Sequence, residues 1–158
     1  HLYYNGKYYE LGLTAVYNVF NRVLKSTSRT YNRFYPQGRD FFNAGLTYKF
    51  FWKRFILSGE TALDKRGRIA TLNVLTYLPN SETRILLLNR FYDMAYQSLY
   101  AKAMGEGSMV QNESGVYAGL ETRLLKSFTL NAYADFFYFP WKKYQLSQAE
   151  TTGFDGMV

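Results

Sequence analysis

The sequence predicts an all-β protein, an antiparallel meander whose strands run up and down in chain order. Apolar residues recur at every second position in at least six segments, which is the repeat of a strand with one apolar and one polar face. Short and long connections alternate between these segments. Aromatic residues make up 20% of the 158 residues, which excludes a disordered chain. We therefore predict a single domain over residues 1–158, long enough for one small barrel.

Seven full strands are predicted, with a partial strand at each end. The first full strand begins at Tyr9. In the fourth, the even-numbered residues Ala70, Leu72 and Val74 are apolar, so we place them on the apolar face. A strand at residues 84–90 is also clear, although its two faces stay unassigned. The alternating segments are residues 9–19, 42–50, 55–63, 70–78, 116–124 and 128–136.

The connections differ between the two ends of the meander. Asn5-Gly6 predicts a type I′ turn after a short strand at residues 2–4. Other tight turns are expected at residues 51–54, 79–83 and 125–127, and longer loops at residues 22–39, 64–68, 91–113 and beyond Tyr138. All longer loops thus share one end, as in transmembrane barrels, whose periplasmic turns are short and whose extracellular loops are long. The strands also approach the roughly 9–11 residues that a tilted membrane strand needs.

Aromatic residues cluster at both strand ends, as they do where amphipathic rings meet lipid headgroups. We therefore expect an outer-membrane-type β-barrel of about eight strands, or a segment of a larger barrel, in a Gram-negative bacterium. The start without Met and the ending on a further strand suggest a piece of a longer chain. The same alternation also fits a soluble lipid-binding barrel with its apolar face inside. The two predicted bands are Tyr8, Tyr9, Phe50, Phe51, Trp52 and Phe55 at the short-turn end, and Phe41, Phe42, Phe136, Phe137, Phe139 and Trp141 at the long-loop end.

Several kinds of active site are excluded by composition. The chain has no cysteine and its one histidine is His1, so it cannot form a Cys-His or Ser-His pair or a His-rich metal site. It also lacks the Walker, nucleophile-elbow and dinucleotide-binding motifs. We therefore expect a non-enzymatic protein with no catalytic residue, metal site or cofactor.

The polar face of the predicted strands carries charges of both signs. In a barrel these side chains line the lumen, where they form ion pairs or select solutes. Asn18, Asn43, Asn73 and Asn131 are expected beside them. The candidate lumen residues are Glu10, Lys49, Glu60, Glu121, Arg123 and Asp135.

Basic residues gather in the longer loops of this chain, whose formal net charge is +7. Tyr31, Phe34 and Tyr35 lie between them, a mixture that suits phosphate contacts and base stacking. The loops could therefore bind nucleic acid, a polyanionic glycan or the phosphates of lipopolysaccharide. The candidate polyanion-binding residues are Arg22, Lys25, Arg29, Arg33, Arg39, Lys142 and Lys143.

Two stretches resemble a known family. They are Arg90-Phe91-Tyr92 with Tyr96, Tyr100, residues 105–108 and residues 112–117, and the run Asp-Phe-Phe-Tyr-Phe-Pro-Trp-Lys-Lys-Tyr at residues 135–144. They are similar to the C-terminal barrel region of Bacteroidota outer-membrane proteins that carry ComEA-like helix-hairpin-helix repeats. The resemblance implies a barrel and gives these residues no catalytic role. DNA binding is implied only through the helix-hairpin-helix part, which this sequence does not contain.

The expected function is a membrane-embedded pore or scaffold that serves uptake or surface assembly. Its first partner is the lipid of the outer membrane. Lipopolysaccharide or DNA would be met at the loops, and other barrel or periplasmic subunits are further candidates. A surface module that binds nucleic acid or a polyanionic glycan is the alternative, and a soluble lipid-binding barrel is a third.

Overall fold

A computed structural model describes residues 1–146 and 148–158. The described chain forms nine β-strands and one short 3-10 helix at Thr30–Asn32. Within these residues no helix is long and apolar enough to cross a membrane. The all-β prediction is confirmed, and so are the seven full strands with a shorter one at each end. The strands are β1 (Leu2–Asn5), β2 (Tyr9–Leu24), β3 (Gly38–Trp52), β4 (Phe55–Asp64), β5 (Ile69–Asn80), β6 (Thr83–Tyr92), β7 (Glu113–Leu125), β8 (Phe128–Phe139) and β9 (Thr151–Met157).

The strands form one open antiparallel sheet in chain order, with β1 and β9 at its edges. The short connections, at residues 6–8, 53–54, 81–82 and 126–127, all lie at one end of the sheet. The longer ones, at residues 25–37, 65–68, 93–112 and 140–150, lie at the other. The predicted up-and-down meander with two different ends is therefore confirmed.

The first turn differs from its prediction. A type I′ turn needs positive φ at both central residues, but neither Asn5 nor Gly6 is among the described residues with positive φ. The Gly6 amide instead donates to the Tyr9 carbonyl at 2.8 Å. The turn is thus wider than predicted, because the last strand pair before it is Asn5 with Glu10.

Nearly all charged residues of the paired strands lie on one face of the sheet, which we call the polar face, and the other face is the apolar face. Residues opposite each other in neighbouring strands point to the same side of the sheet. The pairing register therefore shows which residues of each strand share a face. In the described strand pairs the apolar face bears one charged residue, Asp40, which lies at the long-loop end. The polar face bears Glu10, Lys49, Glu60, Asp64, Arg84, Arg90, Glu113, Glu121, Arg123, Asp135 and Asp155.

The predicted faces of β5 are reversed. Leu72 lies opposite Glu60, so the even-numbered residues of β5 are on the polar face. Asn73 consequently lies on the apolar face, where its side chain accepts a hydrogen bond from the Tyr48 hydroxyl. On β5 the polar face of the sheet carries apolar side chains, because the loop that follows β6 covers it there and buries Ala70. The register also identifies the two faces of β6, which the sequence left unassigned, and places Arg84 and Arg90 on the polar face.

Aromatic side chains form one continuous row at the short-turn end. Tyr9, Phe50, Trp52, Phe55 and Tyr77 share the apolar face there, and the Phe55 and Tyr77 rings stack with centroids 4.6 Å apart. The row lies where the sequence predicts one of the two bands, but two predicted members are not part of it: Phe51 lies on the polar face and Tyr8 lies before β2.

Only two of the six aromatic residues predicted to form a band at the long-loop end lie on the apolar face. Phe42 and Phe136 lie on the apolar face, and Phe136 packs on Phe154 with centroids 4.7 Å apart. Phe41 and Phe139 instead point to the polar face and are buried. They are the lining beneath the long loops rather than part of an outer band. Phe137 also lies on the polar face, and Trp141 lies in the loop after β8.

The polar face is covered by loops towards the long-loop end of the sheet. Tyr92 and Tyr96 pack on Ala70 there, and Arg90 has no exposed surface. On the other face, Leu13 is 50% exposed and Leu87 is 48% exposed. The small core therefore lies between the polar face and the long loops, while the apolar face has no protein cover in the described structure.

Candidate binding site at the long-loop end

The loops after β2 and β8 meet, although they come from opposite sides of the sheet. The Trp141 indole nitrogen donates to the Thr30 carbonyl at 3.1 Å. The Phe34 ring packs edge-on against Trp141, with centroids 5.1 Å apart, and Tyr31 packs against Tyr144. The sheet is therefore curved strongly enough for its two sides to approach each other at this end.

Trp141 is held in place by a third segment, the end of the loop before β7. The Asn112 side-chain amide donates to the Trp141 carbonyl at 2.8 Å, and the Trp141 amide donates to the Asn112 side-chain oxygen at 2.7 Å. Asn112 has a φ of 55°, a left-handed conformation that asparagine adopts more readily than most residues. These bonds fix the indole ring between the three loops.

A cavity of about 40 Å³ opens beside this indole ring, and we call it the Trp141 cavity. Gln111 lines it and is 5% exposed, and its side-chain Oε1 has no hydrogen-bond partner among the described residues. Buried polar atoms in proteins are nearly always paired. The five aromatic side chains that line the cavity are Tyr31, Phe34, Tyr35, Trp141 and Tyr144.

Four of the predicted basic residues come together here. The Arg33 guanidinium lies 5.6 Å from the ring centroids of both Phe34 and Trp141. Lys142 and Lys143 line the cavity. Arg29 donates to the hydroxyl of Tyr31, which also lines it, at 2.8 Å.

The other three predicted basic residues lie apart from the Trp141 cavity. Arg22 and Arg39 belong to strands β2 and β3 and not to the predicted loop. Arg39 donates to the Phe20 carbonyl at 3.0 Å. Lys25 is exposed just after β2 and does not line the cavity. The structure therefore divides the predicted set, because β2 and β3 extend further into the loop than predicted.

The side chain of Lys143 is partly buried under the loops. Its ammonium lies 4.3 Å from the centroid of the Phe139 ring. Burial lowers the pKa of Lys143 below its ordinary value of 10.5, and the nearby carboxylates of Glu113 and Glu106 offset this only in part. The lysine therefore keeps a local positive charge under the loops at some desolvation cost.

A buried ionic cluster lies beneath the loops. The Arg90 Nε donates to Glu113 at 2.7 Å, and its Nη1 donates to Asp135 at 2.9 Å. Glu113 also accepts backbone amide hydrogen bonds from Glu106 and Gly107. The cluster thus joins β6, β7 and β8 to the loop at residues 93–112.

Sequence reasoning selected Asp135 but missed Arg90 and Glu113. Arg90 ends the one predicted strand whose faces were not assigned, and Glu113, the first residue of β7, was predicted to belong to the preceding loop. The signal that could have placed Arg90 is its even spacing from Arg84 in one strand, which puts both on one face.

All six predicted lumen residues lie on the polar face, but the structure does not gather them into one site. Glu10 is opposite Lys49 and accepts a hydrogen bond from the Tyr3 hydroxyl at 3.1 Å. Glu121 lies 4.0 Å from Arg84, and Arg123 lies 3.6 Å from Glu82; both pairs are exposed. Exposed pairs of this kind contribute little to stability. Glu121, Arg123 and Asp135 thus belong to ion pairs, and of these only the pair of Asp135 with Arg90 is buried.

Glu60 lies between two further cavities on the polar face, beside the loop at residues 93–112. Their volumes are about 220 and 160 Å³, and Tyr96 lines both. Asn43 anchors this loop, because its side-chain amide donates to the Gln97 carbonyl at 2.9 Å. The loop therefore covers part of the polar face and leaves two cavities beside Glu60 that are large enough to hold water.

The comparisons with known proteins give no relative. No protein-family description, no curated protein and no solved structure matches this chain. Among residues 1–146 and 148–158 there is also no cluster of three or more side chains able to hold a metal ion.

Proposed function

We propose that this chain forms the wall of an outer-membrane β-barrel that acts as a non-enzymatic pore or scaffold. The observation that carries the proposal is the separation of charge between the two faces of the sheet. Lipid is the one common environment in which an exposed apolar band is stable over so many strands. Any charged side chain placed in that band would lose its hydration without gaining a partner.

Among the described strand pairs, the one charged residue on the apolar face fits this proposal. Asp40 lies at the long-loop end, where its carboxylate pairs with Lys65 and accepts a hydrogen bond from the Tyr17 hydroxyl. A paired carboxylate at the rim would lie at headgroup depth and not in hydrocarbon. The aromatic row at the opposite rim, from Tyr9 to Tyr77, would mark the other interface.

A soluble lipid-binding barrel is less well supported. Such a barrel would enclose its apolar face, whereas here the covered face carries Arg90, Glu113 and Asp135. The resemblance to outer-membrane proteins with helix-hairpin-helix repeats agrees with a membrane location. DNA as a partner and additional subunits remain expectations of that resemblance.

Extraction from membranes tests this proposal. The protein should stay with the membrane after high salt and carbonate washes and should require detergent for release. Recovery of a monodisperse monomer from buffer alone would contradict it. Reconstituted liposomes then separate the two roles, because a pore passes small solutes and a scaffold does not.

A second function is favoured by the meeting of the loops after β2 and β8. This contact brings Arg29, Arg33, Lys142 and Lys143 to one surface together with aromatic rings. We infer that the long-loop end binds a polyanion, with Arg and Lys contacting its acidic groups. Binding that weakens steeply with salt would support this function.

A further inference from the structure

We propose that the Trp141 cavity is a saccharide-binding site that takes a hydroxyl-bearing substituent of an acidic glycan. The proposal rests on the second function above, and it names the polyanion and the contacts that recognise it. A sugar hydroxyl enters the cavity and donates to the Oε1 of Gln111. The acidic group of the same glycan lies outside, near Arg33 and Lys142.

The unpaired oxygen of Gln111 decides which chemical group enters. An amide oxygen accepts hydrogen bonds, so it pairs with a hydroxyl or an N–H and repels a phosphate or carboxylate oxygen. A cationic donor is disfavoured because Lys142 and Lys143 line the same cavity. A neutral hydroxyl is the donor that meets both conditions.

The size of the cavity limits what can enter it. A water molecule needs roughly 10–15 Å³ of such space, so about 40 Å³ accommodates a hydroxymethyl group but not a whole ring. Tyr144 is 61% exposed at the edge of the cavity. Its open ring offers an apolar surface on which the body of a sugar can lie.

The arrangement of the rings favours a glycan over single-stranded nucleic acid. Bases bind such sites by stacking on open aromatic faces. Here the Phe34 and Trp141 rings meet at 79°, and the Arg33 guanidinium covers Trp141. The two rings are therefore already packed against each other, and the guanidinium is left to face an acidic group.

Trp141 reports binding directly. The chain has two tryptophans, and Trp52 lies at the opposite end of the sheet, so a Trp52→Phe variant leaves Trp141 as the single indole fluorophore. The variant in detergent or liposomes is titrated with two acidic probes that keep free hydroxymethyl groups, a hyaluronan tetrasaccharide and an unsulfated chondroitin tetrasaccharide. Maltotriose is the neutral probe, and a short oligothymidylate is the nucleic-acid probe.

We expect saturable changes in Trp141 fluorescence with an acidic saccharide and weaker ones with maltotriose. Gln111→Leu should weaken acidic-saccharide binding by about tenfold, the loss expected for one good hydrogen bond. Gln148→Leu, at an exposed position of the loop after β8, should leave it unchanged. Lys142→Gln should weaken the binding of acidic probes and reduce its dependence on salt.

Three results would overturn the inference. They are no binding of either acidic saccharide, equal binding by Gln111→Leu, and tighter, Gln111-dependent binding of the oligothymidylate. If the acidic probes bind in a salt-dependent way and Gln111→Leu does not change their affinity, the polyanion function is supported and this site is not. Carbonate extraction of the same Trp52→Phe protein reports separately on membrane insertion. A failure of the membrane proposal can therefore be distinguished from a failure of the saccharide-site proposal.

Discussion

The guanidinium of Arg90 lies directly against the backbone of Gly115, its cross-strand partner. A Cβ atom at position 115 would lie 2.5 Å from the Arg90 Cζ. The missing side chain lets the flat guanidinium rest on β7 while it reaches Glu113 and Asp135. This contact is what allows the cluster to hold three strands and the loop before β7 together.

Gly115→Ala should therefore destabilise the protein. The new methyl group must displace the guanidinium from its two carboxylates, and overpacking of this kind costs about 1–3 kcal/mol. Denaturant unfolding of the folded, detergent-bound protein measures the loss. Gly45→Ala is the matched control, because its Cβ would come close to the flexible Glu60 side chain, at 3.2 Å, and would meet Ala62 and Thr61 only at ordinary contact distance. Equal stability of the two variants would show that Arg90 does not depend on Gly115.

Charge should be tolerated on one face of β2 and not on the other. Leu13→Arg places a guanidinium in the apolar band and should cost about 2–4 kcal/mol, the range for arginine at the bilayer midplane. Thr14→Arg, at the neighbouring position on the polar face, should cost much less. Leu130→Arg on β8 repeats the first test on the far side of the sheet. Unfolding in liposomes measures all three, and equal costs would mean that the faces are wrongly assigned.

The loops at residues 25–37 and 93–112 should lie on the same side of the membrane. Four strands separate them, and an even number returns the chain to its starting side. The chain has no cysteine, so single cysteines at Ser28, Ser108 and Ser81 are clean reporters. An impermeant thiol reagent should label the first two on intact cells. Ser81→Cys, in a short turn, should react only after the outer membrane is broken.

Opposite labelling of Ser28→Cys and Ser108→Cys would contradict the topology. It would require one of the four strands between the loops not to span. Immediate labelling of Ser81→Cys would instead show that the short turns are accessible from outside.

Lys143 should make stability depend on pH at the alkaline side. Because burial lowers its pKa in the folded protein, the unfolded chain binds more proton between that value and 10.5. Folding stability relative to Lys143→Met should therefore rise as the pH increases through this window and be flat below it. Denaturant midpoints between pH 8 and pH 11 measure the difference, with Lys142→Met as the control. A difference that falls with pH would contradict the assigned direction.

The sequence predicts the strands well because nearly every strand has one face made of apolar side chains and one made of polar side chains. Leu13, Leu46 and Leu57 all lie on the apolar face as their period of two predicts. The pattern fails at β5, where Ala70 and Leu72 lie beneath a loop and both faces are apolar. Periodicity cannot distinguish the two faces when a loop covers the polar one.

The candidate site is harder to predict, because it is assembled from distant segments. Trp141 and Thr30 touch only when the whole sheet curves, and no local pattern contains that information. The sequence does identify the basic and aromatic character of both loops. It cannot reveal that the Arg33 guanidinium lies over the Trp141 ring, or that Gln111 is buried in the lining of the cavity beside Trp141.

The central claim is that lipid covers the apolar face, and a nitroxide scan along β3 tests it most directly. Single cysteines from Phe42 to Phe50 are spin-labelled in liposomes, and their accessibility to oxygen and to a water-soluble nickel complex is measured. Labels at Phe42, Leu46 and the other even positions should be accessible to oxygen and shielded from nickel. Labels at Asn43, Thr47 and the other odd positions should show the reverse. Nickel accessibility at every position, or the opposite alternation, would contradict a membrane barrel.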